Sequence, residues 1–267
     1  MIGNQPDANI RKAVFAFLIC FISIKMDAQL NESDTLGFQM RAGINGIYQT
    51  GNVNLGVLRT RIEFFAKLSS DFKFKTQNNT LYQEFSKRKA DNDINSRNYL
   101  YYKPERRVYP FIMAYAQTNF RRQIANRFFS GAGVTWQLAQ QPKAVFKLSG
   151  SMVYEATRFT NDIFNEPYYS GRNVIAIWRP TLYMAGVHKI ADEKINIHYN
   201  ASWQPGIDQV SNQRLQAELG IDCALWKGLA LTANYLYINE QIVPEKVLPY
   251  DGILTFGIVC QFKKNNR

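Results

Sequence analysis

The sequence predicts an all-β protein: a closed antiparallel transmembrane β-barrel of about twelve strands, following a cleaved signal peptide. Three observations predict it. Apolar and polar residues alternate with period 2 in segment after segment from residue 36 onward, which gives each strand one apolar and one charged face. The links between segments alternate in length, as in a barrel with turns at one end and loops at the other. Aromatics make up 14% of the chain, with 18 Phe and 15 Tyr, yet mean hydropathy is only -0.29. That pairing fits an apolar exterior around a wet interior.

The N-terminus reads as an address. Arg11 and Lys12 precede the apolar run Ala13 to Ile24, which has the length of a signal-peptide core and is too short to span a bilayer. Ala28 is placed for cleavage before Gln29. Residues 1–28 are therefore expected to be a signal peptide, 29–262 the barrel and 263–267 a basic tail. Cys20 follows Leu18 and Ile19 rather than small residues, which argues against a lipoprotein. Cys223 and Cys260 remain; both fall on the apolar phase and a third strand separates them, so they read as small buried hydrophobes rather than a disulfide.

The strands follow in order. Segment 36–49 carries Met40, Ala42 and Ile44 on one phase, Gln39 and Arg41 on the other, and runs into Thr50, Gly51 and Asn52. Segment 54–68 alternates Leu58, Thr60, Ile62 and Phe64 with Arg59, Arg61 and Glu63. Segment 72–85 adds Lys73, Lys75 and Gln77 to the charged phase, and 96–103 follows. Segment 111–121 sets Ile112, Ala114 and Ala116 against Gln117 and Asn119. Segments 128–139 and 144–157 come next, the latter with Leu148 and Met152 opposite Lys147, Ser149, Ser151 and Glu155. Segment 172–187 contains Pro180, where a bulge or a break is expected because proline cannot donate to a ladder. Segment 194–204 opposes Ile197 and Ala201 to Asn196, His198 and Asn200, and 213–224 opposes Leu219 and Ile221 to Gln216 and Glu218. Segments 228–240 and 252–262 complete the set, and the last, GILTFGIVCQF, resembles the C-terminal signal of outer-membrane proteins.

The short links are SSD, PERRVYP, QQPK, KIADEK and WKG. The longer ones are SKRKADNDIN, RQIAN, RFTNDIFNEPYYSGR, PGIDQVSNQ and QIVPEKVLPYD, with TGNVN a short exception at the long end. A soluble sandwich could show the same alternation with its faces reversed in meaning. Export and loop asymmetry together place the apolar phase against lipid, and closure removes the edges that lipid would not tolerate. Tyr48, Phe129, Trp203, Tyr235 and Tyr237 at one rim, and Trp136, Phe146, Trp226 and Phe262 at the other, read as interfacial girdles. The lumen-lining candidates are Arg41, Arg59, Arg61, Glu63, Lys73, Lys75, Lys147, Glu155, His198 and Glu218. Within them Arg41, Arg59, Arg61, Lys73 and Lys75 form a basic wall that only Glu63 offsets in phase.

An early strand running into TGN, NRFFSGAGVTWQL at 126–138, and a following strand ending in Tyr154 and Glu155 stand together in this chain. On these the chain resembles the salt-induced outer-membrane protein (YdiY-like) family, a domain of unknown function. It covers roughly residues 36 to 262 and implies an outer-membrane barrel with no established reaction.

Net charge is +11; losing the leader removes three basic and two acidic residues and leaves +10. An exported basic chain is expected to meet outer-membrane lipids, lipopolysaccharide and small anionic solutes rather than nucleic acid. The barrel-assembly machinery is its expected partner during insertion. No metal or cofactor is expected, since the chain has only two histidines and no Cys/His cluster. Asn196, His198, Asn200 and Ser202 share one phase, but His198 and Ser202 lie roughly 13 Å apart along a strand, too far for a nucleophile and its base. An enzyme is therefore not expected. The residues leave two main readings open: a narrow small-solute channel with mild anion preference, or a structural or stress-response envelope protein whose lumen is plugged by Arg–Glu networks. A lipid-modifying barrel enzyme and a secreted soluble β-binding protein are the remoter alternatives.

Overall fold

The computed structural model describes residues 32–33, 37–50, 54–207, 212–226 and 228–264; the expected signal peptide lies outside them. The strands are β1 (Phe38–Gln49), β2 (Leu55–Lys67), β3 (Phe72–Phe85), β4 (Arg88–Tyr102), β5 (Val108–Asn119) and β6 (Ile124–Gln141). They continue with β7 (Ala144–Phe159), β8 (Val174–Ile190), β9 (Ile195–Pro205), β10 (Gln213–Trp226), β11 (Leu229–Glu240) and β12 (Tyr250–Lys264). Each pairs antiparallel with its neighbours in sequence, and β1 pairs with β12 from Phe38↔Lys264 to Asn45↔Gly257, so the sheet closes into a barrel. Every strand edge then has a partner, as a bilayer requires.

An even strand count puts Phe38 and Lys264 at the same end. The links there are short: 68–71, 103–107, 142–143, 191–194 and 227–228. We call this the turn end. At the opposite, loop end, links 160–173 and 241–249 fold onto each other. Phe164 bridges Pro244, and Asn165 N–H donates to the Val243 carbonyl at 3.0 Å. Beneath them Ile124, Phe159, Phe164, Tyr169, Ile175 and Ile242 form a small apolar cluster.

The two faces of the wall are chemically opposite. Ile44, Ile62, Ile112, Met152, Leu219 and Phe256 are exposed on the outside, whereas Gln39, Arg41, Lys75, Lys147, Asn200 and Glu218 are buried inside. Apolar residues out and polar residues in is the reverse of a water-soluble fold, and the outer band is a lipid-facing surface.

Four expectations are corrected. SKRKADNDIN is no long loop, because Ser86 and Lys87, at φ 49° and 62°, form a tight turn and β4 starts at Arg88. Positive φ at both central residues matches the twist of a two-residue hairpin. Both phases of the strand are mostly polar here, Arg88 and Asn92 on one and Lys89, Asp91 and Asp93 on the other, so alternation no longer marks it. Pro180 makes no bulge: β7 and β8 stay in register through Met152↔Pro180. The Trp178 carbonyl accepts from Ile207 N–H on the β9 side, so two residues later Pro180 also turns its nitrogen that way. The β8–β9 ladder ends at Leu182, so no hydrogen bond is lost.

Phe129 is no girdle residue. It points inward and stacks on Tyr115 with ring centroids 4.3 Å apart. Cys223 and Cys260 are free, and Cys223 is exposed on the outer wall rather than buried. In addition, β12 continues two residues into the expected tail, to Lys264.

Candidate functional site: the charged lumen

Inward-facing side chains from all around the wall build the lumen, and they sort into three levels. At the loop end Glu155 (β7) is the hub. Arg214 (β10) holds both its oxygens at 2.8 and 2.9 Å, and Arg179 (β8) adds a bond at 3.1 Å. Arg127 (β6) lies 3.4 Å from Glu155 and makes a two-pronged bond to Glu240 (β11), 2.9 Å on each prong. Arg179 also donates to the Gln204 and Asn212 carbonyls. Two-pronged guanidinium–carboxylate pairs fix geometry as well as charge. This knot sits under the paired loops.

At mid-height Arg61 (β2) reaches Glu218 (β10) at 2.7 Å and Glu63 at 2.8 Å, with Arg59 3.7 Å from Glu218. Asn200 also donates to Glu218. Arg97 (β4) donates to Gln216 at 3.2 Å and lies over the Tyr115 ring at 5.4 Å. An aromatic wall runs down the β4–β6 side from Tyr115 and Phe129 to Tyr99, Tyr101, Tyr109 and Phe111.

At the turn end Arg41 pairs with Asp222 at 2.6 Å. His198 is fully buried, with Nε2 3.6 Å from the same carboxylate. Its ring lies where Gly220 carries no side chain, and a Cβ there would strike it. Lys73 pairs with Glu105 of the 103–107 turn at 2.6 Å. On the same face of β3, Lys75 joins Lys147 of β7 in holding Glu32 of the N-terminal segment, at 3.5 and 2.9 Å. Burial alone would push the Glu32 carboxyl up, but the two ammonium groups more than offset it and hold the group well below the usual carboxylate range.

Between these levels lies a cavity of about 560 Å³. Its lining runs from Arg122 and Glu240 at the loop end to Gln141 and Pro142 at the turn end, and contains nine Arg and Lys against three Glu. Of the ten lumen candidates, Arg59, Arg61, Lys75, Lys147 and Glu218 line this cavity. Arg41, Glu63, Lys73, Glu155 and His198 are buried in the charged clusters around it. The basic wall is not offset by Glu63 alone: Glu218 and Asp222 of β10, Glu105 and Glu32 each bring a carboxylate to it. Phase along β1–β3 could not show this, because closure sets those carboxylates opposite.

Arg97, Arg127, Arg179, Arg214 and Glu240 were not singled out in the sequence. Strand phase held part of the signal, since Arg214 lies two residues before the inward Gln216. Nothing local marked Glu32. Among the described residues no group of His, Cys, Asp and Glu could hold a metal ion.

A family described as protein of unknown function, DUF481, matches residues 41–262, from β1 into β12. The chain belongs to the DUF481 family. The YdiY-like resemblance is consistent with it. Comparison with curated protein sequences found no match. Among solved structures, the NanC porin is similar at a TM-score of 0.52 and 10% identity, over 84% of this chain and 98% of that one. At that identity the likeness shows the fold alone. An outer membrane channel from Pseudomonas putida F1 gives 0.48 and 11% identity, over 89% and 100% of the two chains. This DUF481 chain is a bacterial outer-membrane β-barrel, with its apolar band in lipid and its charges inside.

Proposed function

We propose that this DUF481 barrel is a narrow conduit for small anionic solutes. The observation that carries the reading is the cavity: its lining extends between the two ends of the barrel with a threefold excess of basic over acidic groups. A low-dielectric wall around such a lining focuses positive potential and concentrates anions. Arg59, Arg61 and Arg97 are the groups a passing anion would meet at mid-height. In planar bilayers under a potassium chloride gradient, the reversal potential should show anion preference. Replacing Arg59 and Arg61 by Gln should reduce it. Cation preference in the parent protein would refute the reading.

One observation favours a second reading. The Glu155 knot and the paired loops stand across the loop end, as a plugged structural barrel would have them. Silent bilayers from properly folded protein would decide for it. On either reading we propose export through the leader, with the mature chain beginning at or near Gln29; mass spectrometry of membrane-extracted protein tests this. Retention of residues 1–28 would count against it.

A further inference from the structure

We infer that the turn-end mouth holds a binding site for small monocarboxylates, and that Glu32 of the chain's own N-terminal segment occupies it as an internal ligand. The Glu32 carboxylate has the contacts of a bound anion rather than of a surface residue. Tyr109 Oη donates to its Oε1 at 2.8 Å, Lys147 Nζ lies 2.9 Å from the same oxygen, and Lys75 Nζ lies 3.5 Å from Oε2. The donors come from three strands, β5, β7 and β3, and all are more than nine-tenths buried. They belong to the rigid wall, whereas Glu32 precedes the first strand.

The neighbouring contacts anchor the segment. Ser33 Oγ donates to Gln137 Oε1 at 2.9 Å and accepts from Lys147 Nζ at 3.2 Å. Gln137 itself donates to the Pro104 and Arg106 carbonyls of the 103–107 turn, at 2.8 Å each. The connection is short, because only five residues lie between Glu32 and Phe38 at the start of β1, and its six steps span at most ~20 Å.

The class of ligand follows from the occupant. Two ammonium groups and a phenol match one carboxylate, and the mouth opens into the cavity already described. A free carboxylate there would face the Tyr101 and Phe111 rings, which pack against Tyr109. Vacating the site would remove a buried negative charge from the turn end and leave Lys75 and Lys147 to the solute. The inference deepens the conduit reading by naming the solute class, yet it can be tested without conduction.

Chemical rescue tests it. Glu32→Ala leaves a space of about the size of acetate between the same donors. In detergent micelles with sodium chloride, refolded Glu32→Ala should unfold roughly 5 °C below the parent. Sodium acetate at equal ionic strength should restore most of that loss and leave the parent unchanged. Adding Lys147→Met should abolish the rescue. Equal melting of Glu32→Ala in the two salts, equal rescue of the double variant, or failure to fold in both salts would overturn the site. Folding only in acetate would support it. Silent bilayers from every variant would sink the conduit and leave the acetate result standing.

Discussion

Arg41 on β1 donates through Nη2 to Asp222 Oδ2 on β10 at 2.6 Å, and two strands, β12 and β11, lie between them in the wall. Both side chains are buried, so the pair spans a chord of the lumen rather than a step along the sheet. A buried pair of this kind is costly to break on one side, because the remaining charge is left without its partner.

Removing either partner alone, by Arg41→Met or Asp222→Asn, should therefore destabilise the barrel by about 3–5 kcal/mol. The double variant should lose less than the sum of the two. Equilibrium unfolding in urea from lipid vesicles measures the cycle. Additive losses would show that the two side chains do not act as a pair.

The wall's two faces predict opposite tolerances. Ile62, 45% exposed on the outer wall, should resist a charge: Ile62→Arg should cost roughly 2–4 kcal/mol if it lies near the bilayer midplane. Arg59→Gln with Arg61→Gln puts no charge in lipid and should still fold, at a stability cost because Glu63 and Glu218 lose their guanidinium partners. Gln variants that fail to fold beside a tolerated Ile62→Arg would mean that the faces are reversed.

Topology has its own test. We expect the loop end to face outward, so Asn165→Cys should react with an impermeant thiol reagent on intact cells and Lys143→Cys should not. The background must lack Cys223 and Cys260. Labelling at 143 with none at 165 would invert the barrel.

Acid should release the N-terminal strap. The Glu32 carboxyl lies below its ordinary value of 4.5, facing Lys147 of β7, Lys75 of β3 and the Tyr109 hydroxyl of β5. A depressed carboxyl contributes stability that is present above the unfolded value and is lost as pH falls through the folded one. The melting difference between parent and Glu32→Ala should thus be full at neutral pH and shrink below about pH 4.5. A difference that grows in acid would contradict the assignment of charge.

Much of the barrel was legible because its cause is local. Strand period, the sides taken by Ile62 and Arg61, and the long links 160–173, 206–212 and 241–249 at one end depend on neighbours in sequence and on which phase is apolar. The errors arose where that signal is missing or doubled. The start of β4 is mostly polar on both phases, so Arg88 to Asn95 read as a loop. The Tyr115 and Phe129 strands carry apolar residues on both phases, so Phe129 read as a girdle.

What tertiary structure alone decided is which charge meets which. Arg41 and Asp222 are 181 residues apart and Arg61 and Glu218 are 157 apart; closure brings them together. Glu32 faces Lys147 over a separation more than a hundred residues long, as Ser33 does at 114. Strand phase determined that these groups face inward. Their pairing depends on how the strand ring closes and where the N-terminal strap lies, and neither is written in any one stretch of the chain.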